Sequence, residues 1–272
     1  MLSTAHPHHP HPTDTHGRCT LVGAGPGDPE LLTLKAVRAI ESATVLLVDD
    51  LVSEAIIALA PRSARVVRVG KRGGCKSTPQ AFIETLMLMA VHEGEHVVRL
   101  KGGDPFIFGR GGEEAEHLRA AGAAVEVVNG ITAGLAGPTA LGVPLTHRDH
   151  AQGVLFITGH VRPGGPCPDW ALLAHTAQQA RLTLVIYMGM SGARPLQEGL
   201  LQGLSADTPV AVIQHASLPQ QRHATATLDQ LADTIAHEGL GSPSVIVVGE
   251  VLRGLAALHG QSARNLTRHP AA

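Results

Sequence analysis

The chain has 272 residues, of which 44% are hydrophobic and only 16% are charged, with 31 glycines and 18 prolines. This composition fits a soluble α/β protein of about two domains better than a disordered chain. The formal net charge of -2 and the 2% of aromatic residues argue against nucleic-acid binding by bulk positive charge or by base stacking.

The cysteines and the hydropathy pattern indicate the compartment. Cys19, Cys75 and Cys167 are widely spaced and form no CxxC pair, which argues for a reducing compartment and against a disulfide framework or a zinc ribbon. No uncharged apolar run approaches the roughly 18 residues that span a bilayer, and the polar start lacks the apolar segment of a signal peptide. We therefore expect a cytoplasmic protein with no membrane partner and no metal centre.

Residues 1–17 form a tail rich in histidine and proline. Proline at this density blocks helix and sheet pairing, so we expect a disordered or polyproline-like segment. The histidines could bind a divalent metal ion, but we expect a solvated tail without a role in turnover.

From Arg18 onward, short aliphatic runs alternate with helical stretches. The first set predicts strands at 19–22, 44–48, 65–69, 96–100 and 124–128, and helices at 29–42, 79–93 and 112–121. Such alternation indicates βαβ units and a mainly parallel sheet, which we assign to an N-terminal α/β domain at 18–146. The first helix has a clear start, because Asp28 suits the N-cap and Pro29 suits the first helical position.

A second set of alternating segments follows a polar join at 143–153. It predicts strands at 154–158, 183–188, 210–214 and 244–248, and helices at 169–179, 195–202 and 228–238. We assign these segments to a C-terminal α/β domain at 147–260, followed by a flexible tail at 261–272. Ligands often bind between two such domains, so we expect the active site in the cleft between them.

A glycine-rich loop at 22–29, VGAGPGDP, joins the first predicted strand to the first helix. A dinucleotide-binding loop has this location, and Asp49 and Asp50 end the second strand where a ribose-binding acid would lie. However, Asp28 replaces the third glycine of that motif and would compete with a pyrophosphate for the helix N-terminus. Pro26 removes one more N–H group. The loop is therefore suited to approach a ligand closely without binding phosphate.

A second glycine-rich cluster, RLKGGDPFIFGRGG at 99–112, follows the fourth predicted strand. Its glycines allow main-chain atoms to approach a ligand, Asp104 offers acceptors for ribose hydroxyls, and its phenylalanines can form an apolar wall with Ile107. A third such stretch, GITAG at 130–134, follows the fifth strand. Open α/β sheets bind ligands at the carboxyl ends of their strands, so these loops predict the binding site.

Six segments together resemble the uroporphyrinogen-III C-methyltransferases, a branch of the tetrapyrrole methylase family. They are GAGPGDPELLTLKA (23–36), VGKRGG (69–74), VVRLKGGDPFIFGRGGEE (97–114), GITAG (130–134), PLTHRDHAQG (144–153) and YMGM (187–190). The resemblance covers about residues 18–255 and is to the stand-alone form, because no dehydrogenase/ferrochelatase module precedes these segments. Three positions depart from the family pattern: Val48 replaces a usual tyrosine, Asn129 replaces a common proline, and Ala216 stands where glycine is also found.

The resemblance implies an enzyme that binds S-adenosylmethionine (SAM) folded between two α/β domains, releases S-adenosylhomocysteine and forms a homodimer. The reaction it implies is C-methylation of uroporphyrinogen III at carbons 2 and 7, giving precorrin-2 via precorrin-1 for siroheme or cobalamin synthesis. Carried over motif by motif, the cofactor contacts are Pro26, Gly102, Gly103, Asp104, Ile107, Thr132, Ala133, Met188 and Ala216. Asp49 is implied as proton acceptor and Lys71 as proton donor, although Lys71 could equally hold a substrate carboxylate.

The implied substrate is a polycarboxylate, so cations should line the site despite the near-neutral net charge. The candidates, several of which lie beside the motif loops, are Arg18, Arg99, Lys101, Arg110, His147, Arg148 and His150. Taken singly, each is equally well explained as an ordinary surface cation.

Three alternatives remain open. A sister methyltransferase acting on a later corrin precursor would share the GAGPGDP loop. An NAD-dependent oxidoreductase is disfavoured by Asp28 and Pro26. A metal-binding protein that uses the His-rich tail would need no glycine cluster.

Overall fold

The computed structural model describes residues 17–70, 78–160, 164–165 and 167–254. Lys71, Cys75, the His/Pro-rich tail before Gly17 and the predicted C-terminal tail lie outside these residues. Two compact units make up the chain. The first comprises the residues up to Ala24 together with Leu32–Gly130, and the second comprises Gly25–Leu31 together with the residues from Ile131 onward.

The first unit contains a five-stranded sheet in which all neighbouring strands are parallel. Its strands are β1 (Arg18–Gly23), β2 (Val45–Val48), β3 (Arg65–Arg68), β4 (His96–Lys101) and β5 (Ala124–Val128), in the order β3-β2-β4-β1-β5. All five predicted strands and the predicted parallel sheet are confirmed. Because the strands are parallel, their carboxyl ends share one edge of the sheet.

Helices pack on both faces of this sheet. They are α1 (Leu34–Glu41), α2 (Glu54–Ile57), α3 (Gln80–His92) and α4 (Gly111–Ala120). Consecutive residues of a strand point to opposite faces. Accordingly, Leu46 belongs to a buried cluster with Ile40 of α1, whereas Leu47 belongs to a second cluster with Met87 of α3 and Leu118 of α4. The sheet is therefore apolar on both sides, as a parallel sheet requires.

The start of the first helix differs from the prediction. Asp28 accepts a hydrogen bond from the main-chain N–H of Glu30 at 2.9 Å, but it begins only a short 3-10 turn at Pro29–Leu31. The N-cap of α1 is Thr33, whose hydroxyl accepts a hydrogen bond from the N–H of Ala36 at 3.1 Å. Asp28 still occupies a donor that a pyrophosphate would need, so the argument against a dinucleotide loop holds.

The second unit contains a mixed five-stranded sheet. Its strands are β6 (Gly153–Thr158), β7 (Leu182–Tyr187), β8 (Pro209–Gln214), β9 (Arg222–Thr227) and β10 (Ser244–Val248), in the order β6-β7-β10-β8-β9. Only β6 and β7 run parallel, and the other neighbouring pairs are antiparallel. We did not predict β9, because its sequence RHATAT offers only alanine as an apolar residue. The predicted class of two successive α/β domains is confirmed.

The helices of the second unit are α5 (Ala133–Ala140), α6 (Trp170–Ala180), α7 (Ala193–Leu200) and α8 (Leu231–His237). We did not predict α5, which contains two glycines and Pro138, all poor helix formers. It packs against β7 and β10. Because of this packing, α5 belongs to the second unit, which includes the chain from Ile131 onward and so begins before the join predicted at 143–153. None of the helices in the described part of the chain has the length and hydropathy that crossing a membrane demands.

Candidate active site

The carboxyl edge of the first sheet brings together the loops that the sequence singled out. Ala24, the first residue after β1, donates its N–H to the carbonyl of Lys101 at 2.8 Å. Asp49, the first residue after β2, donates its N–H to the carbonyl of Leu100 at 3.1 Å. Main-chain hydrogen bonding thus continues to the very end of the strands, and Asp49 lies beside Lys101.

Three glycines allow the loops at this edge to pack backbone against backbone. A Cβ atom at Gly23 would lie 2.7 Å from the carbonyl oxygen of Gly103, and one at Gly130 would lie 2.8 Å from the carbonyl carbon of Gly23. Gly103 itself has a φ angle of 69°, which strains any other residue. The sequence relates these glycines to close approach of a ligand. In the structure, Gly23 and Gly130 instead allow the loops to approach one another.

The carboxylate of Asp104 joins two of the loops. It is buried, and its Oδ1 atom accepts a hydrogen bond from the N–H of Phe106 at 2.8 Å. Its Oδ2 atom accepts hydrogen bonds from the N–H of Gly130 and the side-chain amide of Asn129, each at 3.1 Å. Asn129, which replaces a common proline of the family, thus gains a role in holding Asp104. An acceptor position remains on Oδ1, so the predicted contact with a ribose hydroxyl is still compatible with this geometry.

The loop after Asp104 exposes apolar side chains. Phe106, Ile107 and Phe108 are 52%, 37% and 39% exposed. Phe108 and Arg110 have φ angles of 53° and 59°, so the loop holds non-glycine residues in the left-handed region. Backbone strain of this kind persists only where the surroundings enforce it, and it is common at ligand sites. The three side chains therefore offer exposed apolar surface on the first unit, and their role as a wall of the ligand site stays a prediction.

A buried group of charged residues lies beneath this loop. The Oε1 atom of Glu114 on α4 accepts hydrogen bonds from Arg99 at 3.2 Å, Lys101 at 3.1 Å and Gln80 at 3.0 Å. We call these four residues the Glu114 cluster. Arg99 and Lys101 are each only 3% exposed, so neither is an ordinary surface cation, and contact of either with a substrate carboxylate stays a prediction. Burial and the neighbouring Arg99 guanidinium lower the pKa of Lys101, whereas Glu114 and Asp49 act in the opposite direction.

Asp49 and Asp50 follow β2 at the same edge. Asp49 is partly buried and Asp50 is exposed. The Oδ1 atom of Asp49 accepts the N–H of Asp50 at 3.0 Å, and the role of Asp49 as proton acceptor stays a prediction. The Asp50 carboxylate occupies the space that a side chain at Gly70 would fill. Lys71, the residue implied as proton donor, lies outside the described residues, and its role stays a prediction.

In the second unit, one tyrosine contacts the predicted cofactor residue Thr132 and the first turn of α5. The hydroxyl of Tyr187 accepts the N–H of Gly134 at 2.7 Å and lies 2.6 Å from the hydroxyl of Thr132. Gly134 is in the first turn of α5, so Tyr187 satisfies a free N–H group that the Thr132 side chain leaves unbonded. Sequence reasoning missed this role, although Tyr187 is the only tyrosine and precedes Met188 in the YMGM motif.

The other predicted cofactor residues of the second unit lie in loops. Two of them follow strands, and Pro26 precedes the 3-10 turn at Pro29–Leu31. Met188 follows β7, is exposed and has a φ angle of 54°. Ala216 follows β8 and is buried. The loop that contains Pro26 meets the chain after Ala216, because the N–H of Asp28 donates to the hydroxyl of Ser217 at 3.2 Å. Cofactor contacts at Met188, Ala216 and Pro26 stay predictions, as do those at Thr132 and Ala133.

The remaining predicted substrate cations are scattered. Arg18 begins β1 beside His96, at the amino edge of the first sheet, so it lies on the opposite edge from the strand ends that bind ligands. Arg110 is exposed and pairs with Glu113 at 2.5 Å. His147 and His150 stack with ring centroids 4.6 Å apart in an exposed turn that also contains Arg148. Among the described residues, no set of three or more His, Cys, Asp or Glu side chains is arranged to hold a metal ion.

The chain belongs to the tetrapyrrole (corrin/porphyrin) methylases, whose family model matches residues 18–232. The uroporphyrinogen-III C-methyltransferase of Pseudomonas aeruginosa is 53% identical over 240 residues, covering 88% of this chain and 96% of that relative. Siroheme synthase 2 of Aeromonas hydrophila is 50% identical over 237 residues, covering 87% of this chain. The match covers 49% of that synthase, so the chain spans about half its length.

Solved structures agree with this membership. The uroporphyrin-III C-methyltransferase of Thermus thermophilus complexed with S-adenosylhomocysteine has a TM-score of 0.73 at 42% identity, covering 87% of this chain and 99% of that chain. A cobalt precorrin-4 methyltransferase of cobalamin biosynthesis has a TM-score of 0.77 at 28% identity, covering 89% of this chain and 98% of that chain. The resemblance seen in the sequence motifs is therefore confirmed.

The hydrogen bonds of Asp104 lead to a stability prediction. Asp104→Ala leaves the N–H groups of Phe106 and Gly130 without their acceptor, so we expect a loss of about 2–3 kcal/mol in the free energy of unfolding. Urea denaturation followed by circular dichroism measures this loss. Asp50→Ala is the matched control, because it removes an exposed aspartate at the same sheet edge and should change stability by less than about 0.5 kcal/mol. Equal losses in both variants would contradict the structural role of Asp104.

Proposed function

We propose that the chain is a SAM-dependent uroporphyrinogen-III C-methyltransferase, which methylates carbons 2 and 7 and yields precorrin-2 via precorrin-1. The observation that carries this proposal is the 53% identity to the Pseudomonas aeruginosa enzyme of that name, along 96% of its length. The product serves siroheme or cobalamin synthesis.

The loop after β4 has the chemistry that SAM requires. Gly102 and Gly103 present main-chain groups without side chains, Ile107 offers an exposed apolar side chain, and Asp104 retains an acceptor position. The ribose hydroxyls of an adenosyl group match the free acceptor position of Asp104, and its apolar part matches Ile107. SAM supplies an activated methyl group when bound, and the work of the protein is to align the acceptor carbon and exclude water.

Asp49 has the position of a group that acts on the methylated substrate. Addition of a methyl group to an electron-rich pyrrole carbon leaves a cationic ring that must lose a proton. We assign Asp49 the role of accepting this proton or stabilising the cation, since its carboxylate stands at the ligand-binding edge of the first sheet. Lys71 is proposed as the proton donor on the strength of its motif.

The oligomeric state, the compartment and the partners are proposed from the family resemblance and from sequence features. We propose a homodimer, as the family resemblance implies, and α3 supports it by exposing Phe82 and Met89 on its outer side. We propose a cytoplasmic location because the wide spacing of the three cysteines argues against a disulfide framework. We propose that the chain binds neither nucleic acid nor membrane, because its net charge of -2 argues against the first and its lack of a long apolar run argues against the second.

The sister reaction on a later corrin precursor is the second candidate. The TM-score of 0.77 to the cobalt precorrin-4 methyltransferase favours it, although the identity is only 28%. The acceptor in an activity assay separates the two candidates.

The activity prediction uses the full chain with uroporphyrinogen III and SAM under anaerobic conditions. We expect a product heavier by two methyl groups, with precorrin-1 as a transient species, and we expect mass spectrometry to detect both. Transfer to a later precursor with none to uroporphyrinogen III would reject the proposal in favour of the sister enzyme.

Gly103, in the loop after β4, provides a prediction about cofactor binding. Gly103→Val places a branched side chain at a φ angle of 69° where the main chain should meet the cofactor, so S-adenosylhomocysteine binding should be lost in calorimetric titration. Gly122→Val is the matched control, because Gly122 is also left-handed, at 81°, but has open space around it. Binding that survives in Gly103→Val, or disappears equally in Gly122→Val, would remove Gly103 from the cofactor site.

Substitution of Asp49 should lower turnover and leave cofactor binding intact. Asp49→Asn keeps the side-chain size but removes the charge and basicity, so turnover should fall by about 10²–10⁴-fold while S-adenosylhomocysteine affinity stays unchanged. Single-turnover methylation and calorimetry measure the two quantities, with Asp50→Asn as control. Wild-type turnover in Asp49→Asn would remove it from the catalytic residues, and lost affinity would make it a cofactor residue.

A further inference from the structure

The helices α1 and α5 begin in the same backbone conformation but are capped by different side chains. Thr33 and Thr132 are their N-cap residues, and both have a φ angle of -73° and a ψ angle of 148°. The Thr33 hydroxyl accepts the N–H of Ala36 at 3.1 Å, which is the usual cap. In the described helix α5, by contrast, the Thr132 side chain accepts no N–H group. The Thr132 hydroxyl lies 2.6 Å from the hydroxyl of Tyr187 instead.

Tyr187 takes the place of Thr132 as the cap of α5. Its hydroxyl accepts the N–H of Gly134, the second residue of the helix, at 2.7 Å. N–H groups in the first turn have no acceptor within the helix, and Gly134 is buried, so an unbonded N–H there would destabilise the fold. A side chain 53 residues further along the chain therefore does what the adjacent threonine does in α1.

The packing around Gly134 determines where the Tyr187 hydroxyl lies. A Cβ atom at Gly134 would overlap that hydroxyl, and it would lie 2.7 Å from Val185 of β7 and 2.9 Å from Phe156 of β6. The rings of Phe156 and Tyr187 pack edge to face with their centroids 6.1 Å apart. Glycine at position 134 thus allows the first turn of α5 to lie directly on the two strands, where the phenol reaches it.

Tyr187 also connects this turn to the loop after β7. Its carbonyl accepts the N–H of Gly159 at 2.7 Å. The next residue is Met188, which is held in the left-handed region at a φ angle of 54° and has a side chain that is 45% exposed. The family motifs assign Thr132, Ala133 and Met188 to the cofactor. One residue therefore bonds the helix start that carries the first two and directly precedes the third.

We propose that Tyr187 is a positioning residue for the cofactor, which fixes the Thr132 hydroxyl and the first turn of α5 relative to Met188. The inference rests on the proposed function, because Thr132, Ala133 and Met188 are cofactor residues only within it. Since Tyr187 supplies the acceptor for Gly134, the Thr132 hydroxyl is not needed as a cap and is held by Tyr187 alone. A cofactor that meets groups already fixed in place loses less conformational entropy on binding.

The test removes only the hydroxyl. Tyr187→Phe keeps the ring and its packing with Phe156, but it leaves the N–H of Gly134 without an acceptor. We expect S-adenosylhomocysteine to bind the full chain about tenfold more weakly in calorimetric titration, which is the scale of one lost hydrogen bond. The KM for SAM should rise by a similar factor, while kcat at saturating SAM stays within about twofold, because Tyr187 does not touch the reacting atoms.

Gln197→Met is the matched control. The Gln197 side chain accepts the N–H of Ala232, the second residue of α8, at 2.8 Å. It also donates to the carbonyl of Asp229 at 2.7 Å, so each variant removes two hydrogen bonds at the start of a helix. None of the predicted cofactor residues lies on α7 or α8. We expect Gln197→Met to lower the urea midpoint about as much as Tyr187→Phe and to leave the affinity for S-adenosylhomocysteine unchanged.

Three results would overturn the proposal. They are an unchanged affinity in Tyr187→Phe, an equal loss of affinity in Gln197→Met, and a fall of kcat in Tyr187→Phe with an unchanged KM. The third result is what a smaller fraction of folded enzyme produces, so it would reduce Tyr187 to a structural residue.

Tyr187 is the only tyrosine of the chain, so it also provides a readout that needs no substitution. Tyrosine labelled with carbon-13 at the ring carbon that bears the hydroxyl gives a single NMR resonance in the wild-type chain. S-adenosylhomocysteine should shift this resonance at saturation, and a resonance that stays in place would overturn the proposal. This measurement decides the question if Tyr187→Phe does not fold.

The outcomes separate this inference from the proposed function. A wild-type chain that binds S-adenosylhomocysteine but transfers no methyl group to uroporphyrinogen III would reject the proposed reaction, while calorimetry still decides the role of Tyr187. Methyl transfer with an affinity that Tyr187→Phe leaves unchanged would reject the positioning role alone. A wild-type chain that binds no S-adenosylhomocysteine would reject both.

Discussion

The carboxylate of Glu114 holds the first unit together at the point where the glycine-rich loop between β4 and α4 begins and ends. A buried carboxylate is costly unless charges and hydrogen bonds compensate it. Glu114 obtains this compensation from Lys101 at the end of β4, from Arg99 in the same strand and from Gln80 of α3. Because Glu114 itself is on α4, both ends of the segment that contains Gly102, Asp104 and Ile107 are fixed to one buried group.

Between these fixed ends, hydrogen bonds of Asp104 and close glycine contacts hold the loop in place. Asp104 uses both carboxylate oxygens to bind N–H groups of its own loop and of the loop after β5. Gly23, Gly103 and Gly130 permit the three loops to meet without intervening side chains. A site organised before its ligand arrives loses less entropy on binding and keeps reacting atoms aligned, which is what methyl transfer from a soluble donor requires.

Much of the fold was predictable because its signals are local. The three central strands of the first sheet, β1, β2 and β4, are short aliphatic runs that a parallel sheet buries on both sides, whereas the edge strands β3 and β5 are more exposed. The limits of all five strands follow the sequence closely. Three segments were missed. The helix α2 is only four residues long, α5 contains Gly134, Gly137 and Pro138, and β9 has alanine as its only apolar residue. The structure of α5 and β9 depends on packing against β7, β8 and β10, which no short sequence window contains.

The gathering of the glycine-rich loops at one sheet edge was predictable, but the partners of the charged residues beside them were not. Strand ends followed by glycine-rich loops identified the edge of the sheet. Arg99 and Lys101 looked like cations for substrate carboxylates, because their spacing in β4 does not reveal that Glu114 lies opposite them. Likewise, the tyrosine of the YMGM motif gave no sign that its hydroxyl caps α5, since Tyr187 and Gly134 are distant in the chain.

The central claim is that the loop beginning at Gly102 binds the methyl donor. A crystal structure of the chain with S-adenosylhomocysteine tests it most directly. We expect the ligand in contact with Gly102, Gly103 and Ile107, with the Asp104 carboxylate still hydrogen-bonded to Gly130. A ligand bound with calorimetrically verified affinity but away from these residues would contradict the claim.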